Sequence, residues 1–498
     1  MDAGRRLDAL VVDLNNFARY PTLSVGYLVA ILRRAGIRCT VLSPLARGHR
    51  GVRREPRVRP WSLFEQRLRH ASALSRSAAV GRTRRVLASL AATGVRRLAR
   101  SVAEEADARL RARRPDVVLA STYLMYHDAC RALGEVCARH GVPLLVGGPY
   151  LNHPEVVRAW LDLPGLAGIA GGEVETYLVE LIEAAAGHRP LAGFPGVATP
   201  ASGSALAAAP LKELDAVPFP DFRDFPWDRY PHRIVPLITG RGCGWGVCNF
   251  CSDVTSATGR SARSRSLGNV LEEIKQQSAT HETRLFAFTD LKLNSHLGVW
   301  RGLLDRLPRL LPGARWIAAV HVGSRSENGL SADEVTAAAR AGAVRLTTGL
   351  ESGSQRLLDR MAKGTQLGVT SAFLHAARAA GISVRTTMIL GYPGETAADV
   401  RASAAFLARH RDAIDRVTLN RFVVMTGTPL DRRQRSSEGP RAARVPSAPE
   451  RRLARFEDRP DAADDPGYRS AVHELLSEVH HINRRRLPGH ASPFDGVM

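Results

Sequence analysis

The chain has 498 residues, 44% of them hydrophobic and 24% charged, a composition that excludes global disorder and, with the length, implies two or three domains. Its net charge of +22 arises from 70 basic and 48 acidic residues, and no run of about 18 apolar residues is present to span a bilayer. The segment MDAGRRLDALVVDL lacks the apolar region and cleavage site of a signal peptide, so a cytoplasmic location without membrane contact is expected.

The first 187 residues alternate between two periodicities. An apolar strand is expected at 7–14, an amphipathic helix at 24–36 ending at a glycine, and a second strand at 37–42. An arginine-rich insertion follows at 47–114, with 19 arginines against five acids. It has few interleaved aromatics and no nucleic-acid motif, so its charge reads as solvated helix faces and nucleic acid is not expected as a partner. A helix near 102–113 leads into a strand at 116–121, a helix through 127–140 and a strand at 142–148. A short helix, a strand at 166–172 and a helix at 175–187 complete the unit. This alternation predicts an α/β fold with a Rossmann-like parallel sheet covered on both faces, whose ligands sit at the carboxyl ends of the strands. Asn15, Ser121, Gly147, Gly148 and Gly172 fall there.

Residues 188–236 hold nine of the 29 prolines, which predicts an extended Pro-rich linker over 188–232, because proline removes a donor and restricts its predecessor. A second series then places strands at 233–239, 284–290, 315–322, 343–351, 382–390 and 416–424, separated by helical patterns. Six such repeats predict an open, partial (β/α)6 barrel over 233–430 rather than the closed eight-unit one. Residues 431–466 are rich in Arg, Pro, Ser and Asp and are expected to be mobile. A last helix at 468–486 makes 431–498 a small helical tail, in which His473, His480 and His481 read as surface residues.

The six cysteines do not suggest a disulfide framework. Cys39 in a strand pattern, and Cys130 and Cys137 on one face of a helical pattern, read as core. Cys243, Cys248 and Cys251 lie within nine residues on the glycine-rich stretch ITGRGCGWGVCNFCSD (238–253), directly after a strand. Three thiolates so placed can ligate three irons of a four-iron cluster, leaving one iron open to an outside ligand. A structural zinc site would want a fourth Cys or His at comparable spacing, and none stands nearby.

This stretch resembles the cluster-binding loop of the radical S-adenosylmethionine superfamily, whose members usually carry Cys-x3-Cys-x2-Cys; here the first gap is one residue longer. The resemblance implies that Phe250, directly before the last cysteine, packs near the adenine of S-adenosylmethionine. GLESGSQRLLDRMAKGT (349–365) is similar to the family's fourth-strand region, where a glutamate bonds the ribose; Glu351, followed by Ser352, holds that place. MILGYPGET (388–396) resembles the fifth-strand motif, whose glycine turns let backbone approach the adenine, and this implies contacts from Gly391, Pro393 and Gly394. Thr289 and Asp290 end the second strand, where the family contacts the methionyl ammonium, and GTPL (427–430) resembles the end of the sixth.

The N-terminal unit resembles the cobalamin-binding domain that precedes this barrel in one large branch of the superfamily, through PLLVGGP (143–149) and GGEVET (171–176). That implies cobalamin contacts from Asn15, Ser121, Gly147, Gly148, Gly172 and Glu173. The branch's usual Asp-x-His-x-x-Gly is absent, DLNNFA standing at 13–18. Cobalamin without a histidine lower ligand is therefore expected, with loss of the cofactor as the alternative. The resemblance covers about 5–187 and 233–430. It implies an enzyme that uses a 4Fe-4S cluster, S-adenosylmethionine and cobalamin to methylate an unactivated carbon of a natural-product or peptide substrate, with electrons from a flavodoxin- or ferredoxin-type donor. A radical cyclase, oxidase or rearrangement enzyme without methyl transfer is the alternative. A methylthiotransferase would carry a second cluster on three N-terminal cysteines, an arrangement that Cys39, Cys130 and Cys137 do not have. Neither a catalytic side chain nor the substrate is readable from the sequence.

Overall fold

The computed structural model describes residues 6–53, 62–75, 77–205, 208–252, 262–324, 327–436, 448, 450–451, 454–456 and 461–497. In the N-terminal unit, β1 (Asp8–Asp13), β2 (Arg38–Leu42), β3 (Val117–Ser121), β4 (Leu144–Gly147) and β5 (Leu166–Ala170) pair in parallel in the order β2-β1-β3-β4-β5. A short β6 (Val197–Ala198) joins β5 antiparallel. β1 and β3 are buried along their whole lengths, as a parallel sheet with helices on both faces requires. Those helices come from α1 (Leu23–Arg34), α2 (Ser62–Leu74), α3 (Ala78–Ala112), α4 (His127–His140), α5 (Pro154–Trp160) and α6 (Leu178–Ala186). Strand order reverses between β1 and β3, the switch point at which doubly wound sheets open a crevice.

The helix expected near 102–113 is the last part of α3, a 35-residue helix that runs back through the arginine-rich stretch. Leu98, Val102, Ala106 and Leu110 are buried at four-residue spacing, whereas Arg96, Arg97 and Arg100 are exposed. One apolar face therefore packs on α4 while the charge stays in water. The Pro-rich stretch is packed rather than extended, because aromatic side chains alternate with its prolines. Phe222, Phe225 and Tyr230 are buried, and a Cβ on Gly26 of α1 would come within 2.4 Å of the Phe222 ring. Arg33 of α1 also holds Asp221 and Asp224 at 2.7 Å each.

The second unit begins with β7 (Ile234–Leu237) and the antiparallel ribbon of β8 (Gly240–Arg241) with β9 (Arg263–Ser264). β10 (Leu285–Phe288), β11 (Arg315–Val320), β12 (Ala343–Glu351), β13 (Ser383–Leu390) and β14 (Arg416–Arg421) continue from β7 as one parallel sheet in chain order. β7 and β14 are its two edges, so the six-stranded barrel is open. The connecting helices are α7 (Leu267–His281), α8 (Leu297–Leu310), α9 (Ala332–Arg340), α10 (Gln355–Arg360), α11 (Leu367–Ala379) and α12 (Ala397–Arg409). Reciprocal side-chain caps, Ser331 with Glu334 and Thr396 with Asp399, start α9 and α12. Apolar residues of α1 and α6, the Pro-rich stretch and the barrel helices form one continuous core.

After the barrel come β15 (Val424–Met425), α13 (Pro429–Ser436), β16 (Ala454–Phe456) and α14 (Pro466–Asn483). Half of the stretch expected to be mobile lies outside the described residues. α14 buries Tyr468, Ala471, Val472, Leu475 and Val479 against α12 and β14. His473 and His481 are exposed and His480 is half-buried. A terminal turn sets Phe494 and Val497 among Ile234, Ala287, Ile317 and Val344 of the barrel and Phe17 and Tyr20 of the N-terminal unit. Among the described residues no helix is long and apolar enough to cross a membrane.

Candidate functional site

The cysteine-bearing stretch leaves the end of β7, and carboxylate hydrogen bonds fix its root. Asp290 accepts from Thr239 N at 2.9 Å, Thr239 Oγ1 at 2.7 Å and Gly240 N at 2.9 Å. Burial pushes the Asp290 carboxyl up to about 6, and these bonds oppose the shift. Thr289 bonds the carbonyl of Leu237 through both N and Oγ1. The two residues assigned from sequence to the methionyl ammonium thus tie the end of β10 to the root of the loop.

Cys243, Cys248 and Cys251 are half-buried. The residues between them are pinned to the backbone that follows α10. Trp245 Nε1 donates to Ala362 O at 2.9 Å, and its ring stacks on His321 at 6.0 Å between centroids. Asn249 donates from N to Met361 O at 3.1 Å and from Nδ2 to Arg360 O at 2.7 Å. Its Oδ1 accepts from Tyr392 OH at 2.8 Å. Phe250 packs beside Met361, Tyr392 and Phe422, so it meets the turn after β13 that carries Gly391, Pro393 and Gly394. Gly391 and Gly394 lie at φ +87° and +77°, and a Cβ on Gly394 would come within 2.7 Å of the Arg360 guanidinium.

Glu351, the last residue of β12, is in the left-handed region at φ +60°, which costs a non-glycine residue about 1 kcal/mol. Its Oε1 accepts from Lys363 Nζ at 3.0 Å, with both side chains almost fully buried. A Cβ on Gly349 would stand 2.2 Å from that carboxylate oxygen, so the pair requires glycine there. Glu351, Cys248 and Cys251 surround Lys363 with acceptor groups and raise its affinity for the proton against the effect of burial. Ser352 points elsewhere, its Oγ lying 3.3 Å from Ser403 Oγ of α12.

At the carboxyl ends of β1, β3, β4 and β5 one register row runs Asp13–Ser121–Gly147–Ala170. Asn15 Nδ2 lies 3.4 Å from Ser121 Oγ, which also meets Ser24 Oγ at 3.0 Å. Asp13 accepts from Thr22 Oγ1 at 2.9 Å, and burial pushes its carboxyl up to about 6. A Cβ on Gly148 would stand 2.0 Å from Thr122 O, so the paired glycines let β4 pass close to the turn after β3. Gly172 lies against Gly196 and Ala208. Glu173 reaches across to the barrel and pairs with Arg241 at 3.1 Å and Arg263 at 2.7 Å.

The remaining thiols are core. Cys39, Cys130 and Cys137 are buried, and burial pushes the Cys130 and Cys137 thiols up to about 12. Among the described residues, no three His, Cys, Asp or Glu side chains are already gathered as a metal-ligand group. The donor set of the loop is nonetheless three thiols with a lysine beside two of them, which suits an anionic iron–sulfur cluster. Sequence reasoning missed Lys363, Trp245, Asn249, Arg241 and Arg263. Lys363 had a signal, being one of only four lysines in an arginine-rich chain; the others act through tertiary contacts that no spacing encodes.

Residues 237–407 match the family model of the radical SAM superfamily. The chain is 26% identical over 303 residues to an uncharacterized methyltransferase of Pyrococcus horikoshii, covering 59% of this chain and 64% of that one. It is 28% identical over 313 residues to the ribosomal protein uS12 methylthiotransferase RimO of Herpetosiphon aurantiacus, covering 60% and 62%. The chain thus spans less than two thirds of the length of these curated relatives. Its fold is similar to that of the radical S-adenosylmethionine methyltransferase TsrM from Kitasatospora setae, solved with cobalamin and a 4Fe-4S cluster bound: TM-score 0.62, 16% identity, 95% of this chain and 91% of that one. It is also similar to the cobalamin-dependent S-adenosylmethionine radical enzyme OxsB, with TM-score 0.63 and 17% identity over 90% of this chain and 64% of that one.

Proposed function

We propose that the radical SAM domain at 237–407 and the N-terminal α/β unit together make a cobalamin-dependent radical S-adenosylmethionine methyltransferase. Its substrate is an unactivated carbon of a natural product or peptide. One observation carries this reading: Cys243, Cys248 and Cys251 occupy a loop clamped by Trp245 and Asn249, beside the buried Lys363–Glu351 pair. The strand-end row of the N-terminal sheet supports the cobalamin part of it, as does the fold shared with TsrM and OxsB.

In this reading the three cysteines hold a 4Fe-4S cluster, and Asn15, Ser121, Gly147, Gly148 and Gly172 line cobalamin. Glu351 takes the ribose of S-adenosylmethionine, while Phe250, Gly391, Pro393 and Gly394 flank its adenine. When bound, the cluster supplies the electron that cleaves S-adenosylmethionine to a 5′-deoxyadenosyl radical, and cobalamin carries the methyl group. Lys363 keeps positive charge beside Cys248, Cys251 and Glu351, which favours negative charge at the site. Gly391 and Gly394 let backbone approach a flat ligand without side-chain obstruction. Asp290 and Thr289 orient the root of the loop, leaving the methionyl group to the open end of the cluster. A flavodoxin- or ferredoxin-type protein supplies the electron in the cytoplasm.

Methylthiotransferase chemistry with a second N-terminal cluster is not supported, because Cys39, Cys130 and Cys137 are buried in β2 and α4. The test is anaerobic reconstitution with iron, sulfide and hydroxocobalamin. A brown, oxygen-sensitive protein is expected, forming S-adenosylhomocysteine and 5′-deoxyadenosine together. Replacing Cys243, Cys248 and Cys251 by alanine should abolish the 5′-deoxyadenosine. A protein that takes up no iron overturns the reading, and 5′-deoxyadenosine without S-adenosylhomocysteine favours a cyclase, oxidase or rearrangement enzyme.

A further inference from the structure

β8 and β9 form the neck of the cysteine-bearing loop, and in their register Arg241 stands directly opposite Arg263. Like charges in that position push an antiparallel pair apart. The ribbon has no carboxylate of its own, since its other two residues are Gly240 and Ser264. The compensating charge comes from the N-terminal unit. Glu173 takes Arg263 Nη1 at 2.7 Å and Nη2 at 3.1 Å on its two oxygens, and Arg241 Nη1 at 3.1 Å. Glu175 takes Arg241 Nη2 at 2.6 Å. All four side chains are between 7% and 13% exposed, so water does not screen the repulsion if a carboxylate is lost. Leu211 completes the junction, its N donating to Glu173 at 2.5 Å and its carbonyl accepting from Arg263. The Arg241 guanidinium also lies over the Tyr27 ring of α1, 5.8 Å from its centroid.

We propose that Glu173 is a positioning residue that closes the neck of the cysteine loop from the neighbouring unit. Docking of the N-terminal sheet and closure of the neck of the thiol-bearing loop are then one event, and Glu173 serves the cluster loop rather than cobalamin. The proposal rests on the radical SAM reading for the identity of what the loop holds, but the clamp itself can be measured without metal.

In the metal-free protein, Glu173→Gln should raise amide exchange at Gly240, Arg241, Arg263 and Ser264 by about tenfold or more, with distant strands unchanged. In the reconstituted protein the same variant should lose iron to a chelator about tenfold faster. A charge swap, Glu173→Arg with Arg263→Glu, should return exchange toward the wild-type rate and covers the case in which the single variant folds poorly. Unchanged exchange and iron loss in Glu173→Gln, with weakened cobalamin binding instead, would make Glu173 a cobalamin contact and overturn the clamp. A swap that exchanges no more slowly than the single variant also overturns it. Failure of the wild-type chain to bind iron would sink the cluster reading, while the metal-free exchange still reports on the clamp.

Discussion

Glu395, in the turn after β13, accepts on one oxygen from Gly391 N at 2.7 Å and from Tyr468 OH at 2.7 Å. Burial raises its carboxyl from the ordinary 4.5 to about 7, and the two donors oppose that rise. Because the folded state holds this proton more tightly than the unfolded chain, the contribution is complete below about 4.5 and is lost as the pH climbs through about 7. Glu395→Gln cannot ionise, so its stability relative to the wild type should rise by about 2.5 kcal/mol between pH 5 and pH 8. Chemical denaturation at the two pH values checks this, and a constant gap would contradict it. The residue also marks a limit of sequence reading. GYPGET announces a tight turn, but only Tyr468, 73 positions later, makes its glutamate a buried hydrogen-bond acceptor.

Elements hold the site through contacts between a loop and the end of a helix. Gly364 lies at φ +65°, and a Cβ there would stand 2.3 Å from the Trp245 ring. Gly364→Ala should therefore displace Trp245 from Ala362 and loosen the cysteine loop, beyond the roughly 1–2 kcal/mol that a left-handed backbone costs alanine. Gly381 provides the comparison, at φ +73° with open space where a Cβ would stand. Gly381→Ala should carry only the backbone cost and keep its iron. Iron per chain after anaerobic reconstitution and gel filtration separates the two variants; equal retention would mean that Trp245 does not hold the loop. At this scale the strands were legible, since those expected at 343–351 and 382–390 match β12 and β13 to within a residue. Their alternating faces are written in local periodicity. Of α3 only the last part was expected, and the structure carries the helix back through the arginine-rich stretch to Ala78.

Over the whole molecule the two units share a core and are closed by the chain's last residues. Phe494 is fully buried between the barrel strands and Phe17 of the N-terminal unit, and its carbonyl accepts from the buried Arg345 at 3.4 Å. Phe494→Ala should cost about 3–5 kcal/mol, measured as a lower denaturation midpoint with both units unfolding together; an unchanged midpoint would show that the terminal turn is dispensable. The Pro-rich stretch is held by the same principle. Prolines forbid regular structure locally, but Phe222 and Tyr230 between them supply enough apolar surface to dock on α1 and the barrel. The amino-acid sequence by itself determined the α/β class, the order of the strands along the chain and the three clustered thiols. Each of these is a property of neighbours in the chain: periodicity, turn residues and spacing. Only the tertiary structure decided that Lys363 faces Glu351, that Asn249 and Trp245 pin the loop, and that Glu173 leaves its own unit to separate two arginines. Those contacts join residues 12 to more than 100 positions apart, and buried charges and donors find partners by where the fold brings them, not by their distance along the chain.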